Sequence, residues 1–124
     1  MPPREWLVRL EDVLEAVSKV ASYTSGLDLT AFKADERTRD AVVWNFAVIG
    51  EAARLVPSEI EARFPDVPWA SMRGMRNIVV HEYFGIDVEI VWVTASRDLP
   101  ELEPRLRQIV EELRRNGPDS NGVA

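Results

Sequence analysis

One stretch of the chain gathers side chains able to do acid–base and phosphate chemistry: Arg73-Gly74-Met75-Arg76-Asn77-Ile78-Val79-Val80-His81-Glu82-Tyr83. His81 is the sole histidine in the sequence. At about 100° per residue, a helix through this stretch places Met72, Met75, Ile78 and Val79 on one face. Arg73, Arg76, Asn77 and His81 fall on the opposite side, and Tyr83 lies close to Arg76, almost two turns on. Gly74 and Val80 keep that second face low enough for another surface to approach. A cation, an amide, an imidazole and a phenol together suit phosphoryl transfer. The arginine fork binds phosphate oxygens and stabilises charge on a pentavalent phosphorus. An imidazole near neutral pH can take a proton from a ribose 2′-hydroxyl or give one to a leaving oxygen. Asn77, four residues before His81, could orient the ring or contact phosphate. The set calls for no metal and no cofactor, and His81, Glu82 and Asp87 lack the spacing of a metal-binding helix such as H-E-x-x-H.

Cleavage through a 2′-hydroxyl needs both a base and an acid, and one histidine per chain is too few. A two-fold homodimer that brings two copies of Arg76 and His81 into one cleft would supply both. Each residue also has a plainer reading. Arg76 could be only an ion-pair partner for Glu51, and Tyr83 an ordinary helix-end aromatic with its hydroxyl in water. Glu51 and Asn45 are polar residues in or beside an apolar segment. A buried carboxylate at Glu51 needs a cation, and Arg76 or Arg73 is the natural choice. Glu51 therefore either supports the site or forms a structural salt bridge. Trp44, Trp69 and Trp92 read as core residues in preference to RNA-stacking ones. Arg114 and Arg115 read as a solvated helix end beside the carbonyl dipole.

The elements that must position these residues follow from length and pattern. The chain has 124 residues, the size of one domain. Hydrophobic residues make up 46% and charged residues 29%, which argues against wholesale disorder. Cysteine is absent, excluding disulfides, thiol catalysis and Cys-ligated zinc. The net charge of −6 argues against a broadly basic nucleic-acid-binding surface, though not against a small basic site. Between Arg63 and His81 three arginines face one acid, Asp66. The N-terminal residues, with Arg4, Glu5 and Arg9, do not read as a signal peptide. The longest apolar run, Ala41 to Ile49, falls short of the roughly 20 residues of a spanning helix. A cytoplasmic protein that contacts no membrane is expected.

Residues 4–24 follow the rhythm of an amphipathic helix through Trp6, Leu10, Val13, Val17 and Val20, with Gly26 as a stop. A short connection through Leu29 and Phe32 leads to a second helix over about 35–56, ended by Pro57. Its middle is apolar nearly all round, which places it centrally in a bundle. Ser58 reads as the N-cap of a short helix over 59–64. A third long helix spans 69–84, with Gly85 following as a stop. Asp87 caps a fourth helix through Val93, and Pro100 marks a break or a new first turn. The last helix buries Leu102, Leu106, Ile109, Val110 and Leu113. Residues 117–124 read as a disordered tail after a single domain over 1–116. The β-branched clusters at 78–80 and 91–93 lack period-two alternation and read as helix. The class is all-α, an up-down bundle of four to five helices.

At these residues the sequence resembles the HepT-like proteins of the HEPN superfamily. Arg76-Asn77-x-x-x-His81-x-Tyr83 is similar to the family's Arg-x-x-x-x-His-x-Tyr signature. Ile49-Gly50-Glu51-Ala52-Ala53, Pro68-Trp69, Gly85-Ile86-Asp87, and Trp92 followed by Asp98-Leu99-Pro100 resemble its flanking segments. The resemblance implies a helical homodimer with the motif at a cleft between protomers, and a metal-independent endoribonuclease acting as the toxin of a toxin–antitoxin pair. It implies an MntA-like nucleotidyltransferase antitoxin as partner, which transfers AMP to the tyrosine of the motif. Carried over to this chain, Arg76 and His81 are the catalytic residues, Asn77 a supporting polar group and Tyr83 the modified residue. The chain's acidity departs from what an RNA cleaver leads one to expect and argues against strong nonspecific RNA binding. The reading from a different class is a non-catalytic helical protein that only binds a nucleotidyltransferase or a nucleotide.

Overall fold

The computed structural model describes residues 3–83 and 87–116, and all of its regular structure is helical. Four rods form the bundle. The first is α1, Pro3–Thr24, which buries Trp6, Leu10, Val13, Val17 and Val20 along one stripe. It ends at a turn through Gly26, whose φ of 78° lies in the left-handed region that glycine adopts without steric cost. The connection that follows is not extended. Leu29–Ala34 forms a one-and-a-half-turn helix, α2, because the Asp28 carboxylate accepts from the Ala31 N–H and Phe32 is fully buried.

The second rod is α3, Glu36–Arg54, capped by Asp35, whose carboxylate accepts from both the backbone N–H and the hydroxyl of Thr38. Those two bonds hold the Asp35 carboxyl below the usual carboxylate range. The helix is central, packed against α1 and against the rod that carries the motif. It is not buried all round. Val42, Phe46, Ile49 and Ala53 form the inward stripe, and Trp44 stands on the other side, 71% exposed. The expectation that Trp44 is a core residue is therefore wrong: position 44 is off the i, i+4, i+7, i+11 stripe that α3 turns inward. Asn45 is buried and meets its need locally, its Nδ2 donating to the Ala41 carbonyl at 2.8 Å.

Ser58–Arg63 forms α4. Here Pro57, not Ser58, is the N-cap, and the Ser58 side chain caps nothing. The Pro57 carbonyl accepts from Ile60 and Glu61, so the helix starts one residue earlier than expected. The third rod is split: α5, Trp69–Arg73, and α6, Met75–Tyr83, meet at Gly74. The Trp69 indole donates to the Phe64 carbonyl at 2.9 Å and is buried as expected, fixing where this rod begins. Its expected stop at Gly85 lies outside the described residues.

The fourth rod runs through Pro100 without a break. Val88–Val93 is α7, capped by Asp87 through the Glu89 and Ile90 N–H groups. Thr94–Asp98 is a π-helical turn, and Leu99–Asn116 is α8. In the wider turn the Leu99 N–H reaches back five residues to the Thr94 carbonyl. Proline lacks an N–H and crowds the carbonyl four residues earlier. The widened turn ahead of Pro100 is the local adjustment that lets one rod continue. Trp92 is half-buried, its ring 5.1 Å from that of Phe32. Arg114 is not simply solvated: it pairs with Glu11 and ties α8 to α1. The tail over 117–124 lies outside the described residues. The all-α bundle is as expected, and no described helix is long and apolar enough to cross a membrane.

Candidate functional site

The site is built where α6 crosses α3. Met72 and Met75 are buried, and Ile78 and Val79 pack partly against the core, so the apolar face of the rod points inward. Arg76, Asn77 and Val80 are exposed on its outer side, Arg76 by 57% and Val80 by 52%. By the backbone, α6 also carries His81, one turn after Asn77, and ends at Tyr83.

The crossing is close because of Gly50. A Cβ built there meets the Arg76 Cγ at 2.6 Å, the Arg76 backbone nitrogen at 3.1 Å and the Arg73 carbonyl oxygen at 3.3 Å. Glycine at this point lets the two backbones approach and puts Arg76 directly against α3. Two effects compete on substitution. Alanine is favoured over glycine in a helix interior by about 1 kcal/mol. Overpacking a tight contact costs about 1–3 kcal/mol. With backbone atoms among the neighbours the contact cannot relax cheaply, so Gly50→Ala is expected to lower the melting temperature by several degrees. Thermal unfolding followed by circular dichroism checks this; a raised melting temperature would mean that helix propensity decides at this position.

One residue further along α3, Glu51 accepts from Arg54 at 2.6 Å and pairs with Arg76 at 3.2 Å. Glu51 is not a buried carboxylate; its side chain is 47% exposed. The Arg54 hydrogen bond, aided by the charges of Arg54 and Arg76, outweighs desolvation and holds its carboxyl below the usual range. The sign follows: Glu51 is ionised at neutral pH, the pairing is present above the ordinary carboxylate range, and it is lost as pH falls through the lowered pKa. Solvent screens an exposed pair of this kind, so the arrangement orients Arg76 more than it stabilises the bundle. Arg54 is a participant that the sequence reading missed, though its spacing of three residues from Glu51 on one helix was legible.

Arg73 does not join this group. Its guanidinium pairs with Glu61 at 2.5 Å and links α5 to α4. Of the two arginines considered for Glu51, Arg76 is the one that meets it. Among the described residues no group of three or more His, Asp or Glu side chains is placed to hold a metal ion.

A guanidinium held at a helix crossing by one shared carboxylate, with an exposed amide beside it and a histidine on the same helix, has the chemistry to bind a phosphate. The family model for HepT-like ribonucleases matches residues 13–109, which contain all of it. The chain belongs to the HepT-like ribonuclease family. With it, the chain belongs to the endoribonucleases, enzymes that break RNA phosphodiesters. Among curated relatives, a protein of Methanocaldococcus jannaschii described as an RNase is 32% identical over 123 residues, 99% of this chain and 100% of the relative. One from Thermococcus cleftensis described as a ribonuclease HepT is 33% identical over 100 residues, 81% of this chain and 91% of its own. A third, from Caldanaerobacter subterraneus and described as an RNase, is 32% identical over 103 residues, 83% of this chain and 92% of its own. No solved structure matches the chain. The Gly50 crossing, which sets Arg76 against α3, lies within the matched residues of this HepT-like ribonuclease.

Proposed function

We propose that the chain is the toxin of a toxin–antitoxin pair, a homodimeric endoribonuclease that cuts RNA without a metal. The observation that carries this reading is Arg76: exposed, held against α3 by a carboxylate it shares with Arg54, and set on the helix that bears Asn77 and His81. Arg76 binds the non-bridging oxygens of the scissile phosphate, in competition with Glu51, and Asn77 contacts the phosphate or orients the imidazole. One His81 takes the proton of the ribose 2′-hydroxyl as that oxygen attacks phosphorus. The 5′-oxygen leaves and receives a proton from the second His81 of the dimer. The products are a 2′,3′-cyclic phosphate and a 5′-hydroxyl, with atoms and protons balanced. The partner that restrains the enzyme is an MntA-like nucleotidyltransferase, acting by transfer of AMP to Tyr83. The cytoplasm, where RNA and ATP are both present, is the compartment this reading requires.

The test is purified protein against labelled total RNA and tRNA, with and without EDTA. Cleavage is expected to proceed at the same rate in EDTA, because proton transfer and charge stabilisation are both assigned to side chains. Loss of activity in EDTA, restored by added magnesium or zinc, would replace this mechanism with a metal-assisted one.

A further inference from the structure

Trp44 is the most exposed large apolar side chain among the described residues. It lines an open groove of about 340 Å³ between α1 and α3, walled by Val48 and Leu55 and rimmed by Arg9 and Asp12. Further along the same wall the groove is lined by Glu51, the residue that holds Arg76. Trp44 and Glu51 are seven residues apart on α3, hence on one face and about 10 Å apart along the axis. The groove is thus continuous with the phosphate site.

Size and charge decide what fits there. The groove's volume sits at the low end of the roughly 300–1,000 Å³ of small-molecule sites. The groove itself carries Arg9 against Asp12 and Glu51, and two further arginines, Arg54 and Arg76, adjoin it through Glu51. A second groove, lined by Asp66, Asp98 and Glu101 with Arg105, is acidic and repels a polyanion. An apolar slot with an exposed indole, adjoined at Glu51 by the guanidinium of Arg76, matches a single aromatic heterocycle attached to a phosphate.

We propose that Trp44 is a stacking platform for one unpaired nucleobase of the RNA substrate, seated beside the phosphate that Arg76 binds. This rests on the reading of Arg76 as the phosphate site. Only an unstacked base can offer its face to an indole, so the platform selects single-stranded RNA. The two carboxylates of the groove are each engaged, Asp12 with Arg9 and Glu51 with Arg54 and Arg76. Stacking therefore reads that a base is unpaired and reads its identity weakly.

The probe is a labelled 2′-O-methyl oligoribonucleotide, which binds but cannot be cut through the 2′-oxygen, alone and annealed to its complement. Binding is followed by anisotropy, and by quenching of the indole fluorescence, taken as the difference between wild type and Trp44→Phe so that Trp6, Trp69 and the half-buried Trp92 cancel. The single strand is expected to bind and to quench. Trp44→Ala should weaken binding about 5- to 150-fold, Trp44→Phe should retain most of it, and the duplex should bind no better than the Trp44→Ala protein binds the single strand. With cleavable RNA, Trp44→Ala should raise KM by a similar factor and leave kcat within about twofold. Equal binding by wild type and Trp44→Ala overturns the proposal. So does a change in the Trp44→Ala protein's assembly mass by light scattering, which would assign the indole to a protein contact. Trp44-dependent binding without any cleavage of RNA would remove the catalytic reading and leave the platform. Cleavage with an unchanged KM in Trp44→Ala would do the reverse.

Discussion

Replacing His81 by alanine is expected to lower RNA cleavage by about 10²- to 10⁴-fold, the usual cost of losing a general acid–base group, and to leave the bundle folded. Arg76→Ala has an effect of the same order for a different reason: the phosphate loses its fork and the charge developing on phosphorus loses its partner. Arg76→Lys keeps the charge but not the planar pair of donors, and is expected to fall between. The fold should survive each change. The Arg76 side chain is more than half exposed and its pair with Glu51 is screened by solvent, so little stability rests on it. Circular dichroism melting beside a cleavage assay separates the two readouts. Undiminished cleavage by a well-folded His81→Ala protein would take His81 out of the mechanism.

The same variants test the shared cleft. A chain with one histidine cannot supply both protons from a single site, so a dimer is expected at micromolar concentration by sedimentation. If each cleft draws Arg76 from one protomer and His81 from the other, mixing inactive Arg76→Ala and His81→Ala chains restores part of the activity in the heterodimers. A clean monomer of 14.1 kDa that cuts RNA would end the two-protomer mechanism.

The positions of the four rods were legible because their apolar stripes have helical period and their ends carry Asp, Gly and Pro. What was illegible has specific causes. A segment as apolar as 41–49 has no marked face, so the sequence could not say that Trp44 points outward while Phe46 and Ile49 point in; only the packing of α1 and α6 on α3 decides it. The helix at Leu29–Ala34 was shorter than any periodicity can register, although Asp28 three residues before Ala31 was a capping signal. Pro100 read as a break because the π turn that accommodates it is a hydrogen-bonding choice with no residue signature. At the site, the types on α6 were readable and the pairings were not. Arg73 and Arg76 look equivalent in sequence, and one is tied to Glu61 while the other meets Glu51. Gly50 was visible as a glycine in a helix, but its use, a crossing too close for a Cβ, exists only once α6 is laid against α3.

Transfer of AMP to Tyr83 is expected to abolish RNA cleavage while leaving the bundle intact. Tyr83 closes α6, two residues after His81 and seven after Arg76, which at helical pitch is nearly two full turns. A residue at a helix end is reachable by a second enzyme, and a nucleotide attached there is tethered within a few residues of the phosphate site. The adduct carries a phosphodiester with about one negative charge, and the cation best placed to receive it is Arg76, since Arg73 is engaged with Glu61. Tethering gives that phosphate a high effective concentration, so it excludes RNA phosphate even though each phosphate alone binds Arg76 comparably. The Glu51 carboxylate, ionised at neutral pH and already sharing Arg76, is the group it displaces. Incubation with the cognate nucleotidyltransferase, ATP and magnesium should add one or more AMP units by intact mass. RNA binding and cleavage should then be lost together with no change in the circular dichroism spectrum. Tyr83→Phe should accept no AMP and keep its ribonuclease activity in the presence of the partner. An AMP adduct that maps to another residue, or a Tyr83-modified protein that cuts RNA at the unmodified rate, would show that the carboxylate keeps its arginine and that inhibition must work some other way.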